Sequence, residues 1–278
     1  MPARRASLAI TDRYRQQFTR ANVATSKKVG KAFNDLVRVD DLDGGFERFA
    51  VYATAEIDRV RAAQVELADT YLAAYTSSEL RRTVEPTGID PNRFTGLDRF
   101  ARPLDVALRP PVFTVKLALL QGYAVPAAVA FGVARVSRIT GAEVAAAGRT
   151  VLSELMRASG NVVGWRRVAA GEACGACLGA ATGAIRADDE VPDVHDNCQC
   201  TAEPVIGGVS DNFERPTGQD MFDAKSEAEQ NALFSGRGGA EKADLIREGM
   251  PISDLIERTD LALGGSSITE APLSKLTA

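Results

Sequence analysis

The four cysteines and the single histidine of this chain all fall between Cys174 and Cys200. They run Cys174-x2-Cys177, seventeen residues, then His195-x2-Cys198-x-Cys200. Cysteines used as ordinary core residues would be scattered. A CxxC turn sets two sulfurs on one side of a backbone knuckle, and Gly175 and Ala176 between them are small enough for it. If the chain from Cys198 to Cys200 is extended, both side chains point to one face, so either can join His195 around a metal. The spacing predicts tetrahedral zinc held by Cys174, Cys177, His195 and one of Cys198 or Cys200. Ligands of this type and number close the coordination sphere, so the zinc is expected to be a structural staple and not a catalytic centre.

Other chemistries fit these residues less well. A zinc deaminase places Glu two residues after its His, where this chain has Asn197. A Ser-His-Asp or Cys-His nucleophile needs a histidine, and the only one is assigned to the metal. Asp43-Gly44-Gly45 is a lone echo of an aspartic-protease motif, without the second carboxylate such a site shares. A Ser-Lys dyad has no fixed spacing to test and stays open. No catalytic residue is assigned.

The elements that must position the cysteines are short. Before Cys174, NVVGWRRVA is β-branched and aromatic and reads as a strand; after Cys200, CTAEPVI reads as a second. The lone Trp165 is expected to pack on this pair, with anchoring of a partner as the alternative. Arg166 and Arg167 should point to opposite sides of the strand. Upstream the pattern is helical. Phe46, Phe49, Ala53, Ile57, Val60, Gln64, Leu67 and Tyr71 form one stripe of a long amphipathic helix. Helix is expected again from Leu97, broken at Pro110-Pro111, and once more up to Arg138. Thr140-x2-Glu143 has the spacing of a capping box that would open a separate helix to Ser159. Downstream, short helices are expected at 220–234, 240–248 and 252–258. The fold class is α+β: a mostly α-helical part over 1–160, a zinc-binding β module over 161–206, a linker and helical segment over 207–261, and a mobile tail over 262–278.

Composition limits the partners. With 45% hydrophobic and 25% charged residues the chain is an ordinary globular protein, and a net charge of −4 argues against wholesale coating by nucleic acid. The module from Asn161 to Val205 holds seven acidic residues against three arginines, unlike a DNA-reading finger. The first forty residues hold nine basic residues against three acidic ones, a solvated helix face or a local contact for DNA or an acidic protein. The opening residues are charged without an apolar run, so a secretory leader is not expected and reduced thiols are. Leu117 to Ala134 is uncharged, but Gly122 and Pro126 interrupt it, and a buried broken helix is expected there instead of a membrane span.

GWRRVAAGEACGACLGAATGAI followed by HDNCQCTAEPV resembles the cysteine-containing module of the tailed-phage minor head proteins of the Mu F-like group, especially those of actinobacterial phages. The likeness falls on Gly164, Trp165, Arg167, Val168, Cys174, Cys177, His195, Cys198 and Cys200, and a helical segment similar to the family's follows up to Arg258. The family often has Pro after the His, where this chain has Asp196. The resemblance implies a minor capsid or head-morphogenesis protein, lodged inside the phage head near the portal after assembly in the host cytoplasm. Its implied partners are the portal protein, the major capsid or scaffolding protein, and packaged DNA along the basic arm. Relatives are often labelled capsid maturation proteases, which is the alternative expectation.

Overall fold

A computed structural model of the chain describes residues 2–171, 173–187, 198–208, 215–234, 238–260 and 266–270. The helices are α1 (Pro2–Leu36), α2 (Leu42–Leu80), α3 (Leu104–Leu108), α4 (Pro110–Leu120), α5 (Val125–Ala158), α6 (Gly175–Ala180), α7 (Gly218–Asp223), α8 (Glu227–Ala232) and α9 (Gly239–Arg247). The strands β1 (Val162–Val168) and β2 (Thr201–Ile206) pair antiparallel, as do β3 (Ile256–Asp260) and β4 (Ser266–Glu270). The fold is α+β, as expected. The chain divides into two compact units, each discontinuous in sequence: one of residues 16–69 and 87–151, the other of 1–15, 70–86 and 152–278.

The first unit is helical because its apolar residues recur at three- and four-residue steps. Phe33 of α1 meets Phe49 of α2 edge to face at 5.2 Å, and Ala53, Ile57, Leu108, Val115 and Val136 close the core around them. The stripe read on α2 is buried at every position but Leu67, which is half-buried. Asp41 caps α2 by accepting from the Gly44 N–H at 3.1 Å. A Cβ on Gly45 would lie 2.4 Å from the Leu36 carbonyl oxygen, so the tight α1–α2 turn requires glycine. Asp43-Gly44-Gly45 is therefore a helix–helix turn, with Asp43 paired to Lys116 at 2.8 Å.

Two helix expectations are corrected here. Thr140 opens no new helix: α5 runs without a break from Val125 to Ala158, and Thr140 is wholly buried within it. The Glu143 carboxylate, which a capping box would turn back along the helix, instead accepts from the Arg99 N–H at 2.9 Å. The helix expected from Leu97 begins only at Leu104, because Asp98 organises a turn. Its side chain is fully buried and accepts from the N–H groups of Phe100 and Arg102, each at 2.8 Å, and from Arg102 Nε at 2.8 Å. This holds Ala101 at a left-handed φ of 60°, which a residue bearing Cβ adopts only under such constraint.

Burial opposes ionisation of Asp98, but the hydrogen bonds from Arg102 and Phe100 and the Arg102 charge hold its carboxyl below the usual range. Asp98→Ala is expected to lower stability by about 2–4 kcal/mol, because two backbone donors lose their acceptor. A depressed folded pKa contributes stability that is complete above the ordinary carboxylate range and lost as pH falls through the depressed value. Urea unfolding at neutral pH and near pH ~3 checks both statements, with Asp98→Asn losing this part of the acid sensitivity.

In the second unit the register of the β1–β2 pair explains its sequence. Trp165 stands opposite Pro204, Arg166 opposite Glu203 and Arg167 opposite Ala202. Proline is tolerated because the Trp165 N–H and C=O face away from β2 and pair with Arg186, at 3.0 and 2.8 Å. That extra bridge brings the Arg186 carbonyl so close that a Cβ on Gly164 would lie 2.3 Å from its oxygen, hence glycine before the tryptophan. Trp165 is fully buried, with the Arg186 guanidinium 5.5 Å from its ring centre. Tyr71 of α2 donates to the Ala202 carbonyl at 3.1 Å and stacks on Tyr14 of α1 at 4.2 Å. The helix expected over 252–258 is replaced by a 3-10 turn over Ile252–Leu255 followed directly by β3.

Candidate metal centre

Cys174 is the extended residue that precedes α6, and Cys177 lies in the first turn of that helix. The Leu178 N–H returns to the Cys174 carbonyl at 3.0 Å, which folds the CxxC segment into a knuckle. Cys198 and Cys200 lie in the segment that leads into β2. The sulfurs of Cys177, Cys198 and Cys200 all lie within 4.8 Å of one another, and Cys177 Sγ is 3.5 Å from Cys198 Sγ. All three residues are buried and Cys174 is partly exposed. The four cysteines are thiols, not disulfides.

This group of three could hold a metal ion. Four sulfurs at zinc's usual bond length of about 2.3 Å stand about 3.8 Å apart on the edges of a tetrahedron. The observed Cys177–Cys198 separation of 3.5 Å is close to that spacing, and the other sulfurs of the three lie within 4.8 Å. The structure brings Cys198 and Cys200 both to Cys177, where the spacing had offered one of the two beside His195. Cys174 interacts with the Cys177 thiol but is not among the three mutually close sulfurs. His195 lies outside the described residues, as do residues 188–194 and 196–197.

The electrostatics explain why the cluster suits a cation. Hydrogen bonding with Cys174, then with Cys198 and Cys200, pushes the Cys177 thiol far up, and burial adds to it. At Cys200 the bond with Cys177 pulls down, but Cys198 and burial outweigh it and push the thiol up to about 12. Crowded buried sulfurs resist becoming anions together unless a positive charge sits among them. Arg167 of β1 supplies one nearby: its Nη1 is 3.9 Å from Cys198 Sγ, a long N–H···S contact.

The spacing of the cysteines did not reveal what encloses them. Phe222 of α7, Phe234 after α8, Ile246 of α9 and Leu255 form one apolar cluster with Cys177, Cys198 and Cys200. The helical segment after residue 207 thus makes the dry wall of the thiol site. Capping boxes could have located its helices: Thr217 with Asp220 and Ser226 with Glu229 each show both reciprocal bonds. A partly buried ion network adjoins β2, where Arg215 donates to Glu203 at 2.8 Å, to Asp12 at 2.9 Å and to the Leu8 carbonyl at 2.9 Å. The start of the basic α1 is in this way packed into the cysteine-bearing unit. Among the described residues no helix is long and apolar enough to cross a membrane.

No protein-family model, no curated protein and no solved structure matches this chain.

Proposed function

We propose that this chain is a minor head protein of a tailed bacteriophage, acting by binding inside the capsid near the portal, with a structural zinc ion as the staple of its cysteine module. The observation that carries the reading is the strand pair whose motif residues lead to three converging thiols. Gly164, Trp165, Arg167 and Val168, the positions that carry the resemblance, form β1, and β2 exits from Cys198 and Cys200. Cys177, Cys198 and Cys200 would hold the zinc, with Cys174 or His195 as the fourth ligand. All-sulfur or sulfur-imidazole donors select zinc over harder cations. A zinc so enclosed supplies cross-linking and no open position for substrate. The chain's own groups hold the module to its surroundings: Arg215 through Glu203 and Asp12, Tyr71 through Ala202. Portal, capsid or scaffolding protein, and packaged DNA along α1, are the partners in this reading.

The test is quantitative mass spectrometry of procapsids and mature particles assembled with the chain present. Intact chain at low copy in both supports the role. Its absence from particles overturns it. Self-cleavage, with trimming of the capsid protein that a Ser or Lys substitution in this chain abolishes, would replace it with a maturation protease.

A further inference from the structure

The uncharged stretch from Leu117 to Ala134 is broken as expected, but it is buried on one side only. It forms the end of α4, a turn over residues 121–124 and the start of α5. Helix α4, PPVFTVKLALL, has only two polar side chains, and both are engaged: Lys116 with Asp43 at 2.8 Å, and Thr114 with the Pro110 carbonyl at 3.1 Å and with Arg135 at 2.9 Å. Val112, Val115 and Ala118 enter the core. The opposite stripe, Phe113, Leu117 and Leu120 at i, i+4 and i+7, is exposed, at 56%, 56% and 85%. Tyr123 and Phe131 add an exposed edge-to-face ring pair at 5.2 Å. A helix apolar on every side is normally covered on every side.

We infer that this α4–α5 hairpin is a dimerisation surface, and that the group covering it is the same hairpin of a second copy of the chain. Charge points to self-association. A two-fold contact sets one patch against its own copy, and the stretch from Leu117 to Ala134 holds no charge to repel itself. Shape points the same way. Phe113, Leu117 and Leu120 form a ridge on α4, while the outward side of α5 offers exposed Ala130 and Ala134 and half-buried Ala127, with exposed Phe131 beside them. A two-fold axis lays the α4 ridge of each copy on the alanine face of the other, giving a four-helix arrangement. The area is sufficient: the exposed apolar side chains amount to on the order of 600 Å² per copy, taking about 180 Å² for a fully exposed large one. Two copies then bury about 1,200 Å², the lower limit of specific interfaces.

The test is sedimentation velocity and light scattering of the full chain across micromolar to sub-millimolar concentrations. The wild type is expected to show twice the 29.6 kDa chain mass at the upper end. Leu117→Glu with Leu120→Glu is expected to weaken association on the order of 100-fold or more, because it places carboxylates in the contact. Both positions are exposed, so far-UV circular dichroism, and melting at concentrations where the wild type is monomeric, should match wild type. Mixing a Leu117→Lys chain with an Ala130→Glu chain should restore dimer, since the arrangement sets α4 on the partner's α5. A wild type monomeric at every concentration, including one that instead binds lipid vesicles through this face, overturns the inference. So does a dimer that the paired glutamates leave intact.

Discussion

Cys177→Ser is expected to abolish tight metal binding and to unfold the cysteine module. Cys177 is central to the cluster, with its sulfur 3.5 Å from that of Cys198 and interactions with the Cys174 and Cys200 thiols. A structural zinc contributes on the order of 10–16 kcal/mol in small zinc modules, as much as the whole stability of a typical domain. Purified wild type should carry about one zinc per chain, and the variant far less, read by elemental analysis. The fully buried Trp165, the chain's only tryptophan, reports the structural consequence. Its emission should shift to the red in the variant, and in wild type on treatment with a strong chelator. Proteolysis should concentrate within 161–234, where β1, β2 and the surrounding helices lose their common core. Cys174→Ser and His195→Ala, compared singly, identify the fourth ligand as the one whose loss weakens zinc. Metal-free wild type with unchanged protease resistance in the variant would reduce the cysteines to ordinary core thiols.

Trp165→Ala is expected to destabilise the chain by about 3–5 kcal/mol, the range for deleting a fully buried large aromatic side chain. The loss has three sources in this structure. The indole leaves a cavity, the Arg186 guanidinium loses the ring 5.5 Å away, and the contact with Pro204 on β2 disappears. Trp165→Phe should recover much of the loss, since it restores apolar volume against Pro204. Urea denaturation followed by circular dichroism measures all three proteins. A tryptophan serving instead as an anchor for another protein would give the opposite pattern, with unchanged stability of the isolated chain and lost partner binding.

The legibility of this fold varied with the range of the interactions involved. The α2 stripe from Phe46 to Tyr71 was readable because helix periodicity places its residues on one face whatever they pack against, and all but Leu67 are buried. β1 and β2 were readable from β-branched and aromatic runs beside turn residues. Failures came where a side chain answered to a distant backbone. Thr140 and Glu143 have the spacing of a cap, yet Glu143 serves the Arg99 N–H in a loop 44 residues earlier in the chain. Residues 97–103 have helical composition, yet the carboxylate of Asp98 captures the backbone donors that a helix would use.

Residue identity and spacing were enough to locate the thiol cluster, because soft donors clustered in sequence have few other uses and a CxxC step is a local geometry. They were also enough to place the strands on either side and to set the α+β class. Only the tertiary structure brought Cys198 and Cys200 together onto Cys177, enclosed them with Phe222 and Phe234, and set Arg167 against a sulfur. Only it divided Leu117–Ala134 into a face that is buried and a face that is not. The physical reason is the same in each case. Periodicity and donor type act within a few residues, whereas burial depends on which distant segments arrive to exclude water.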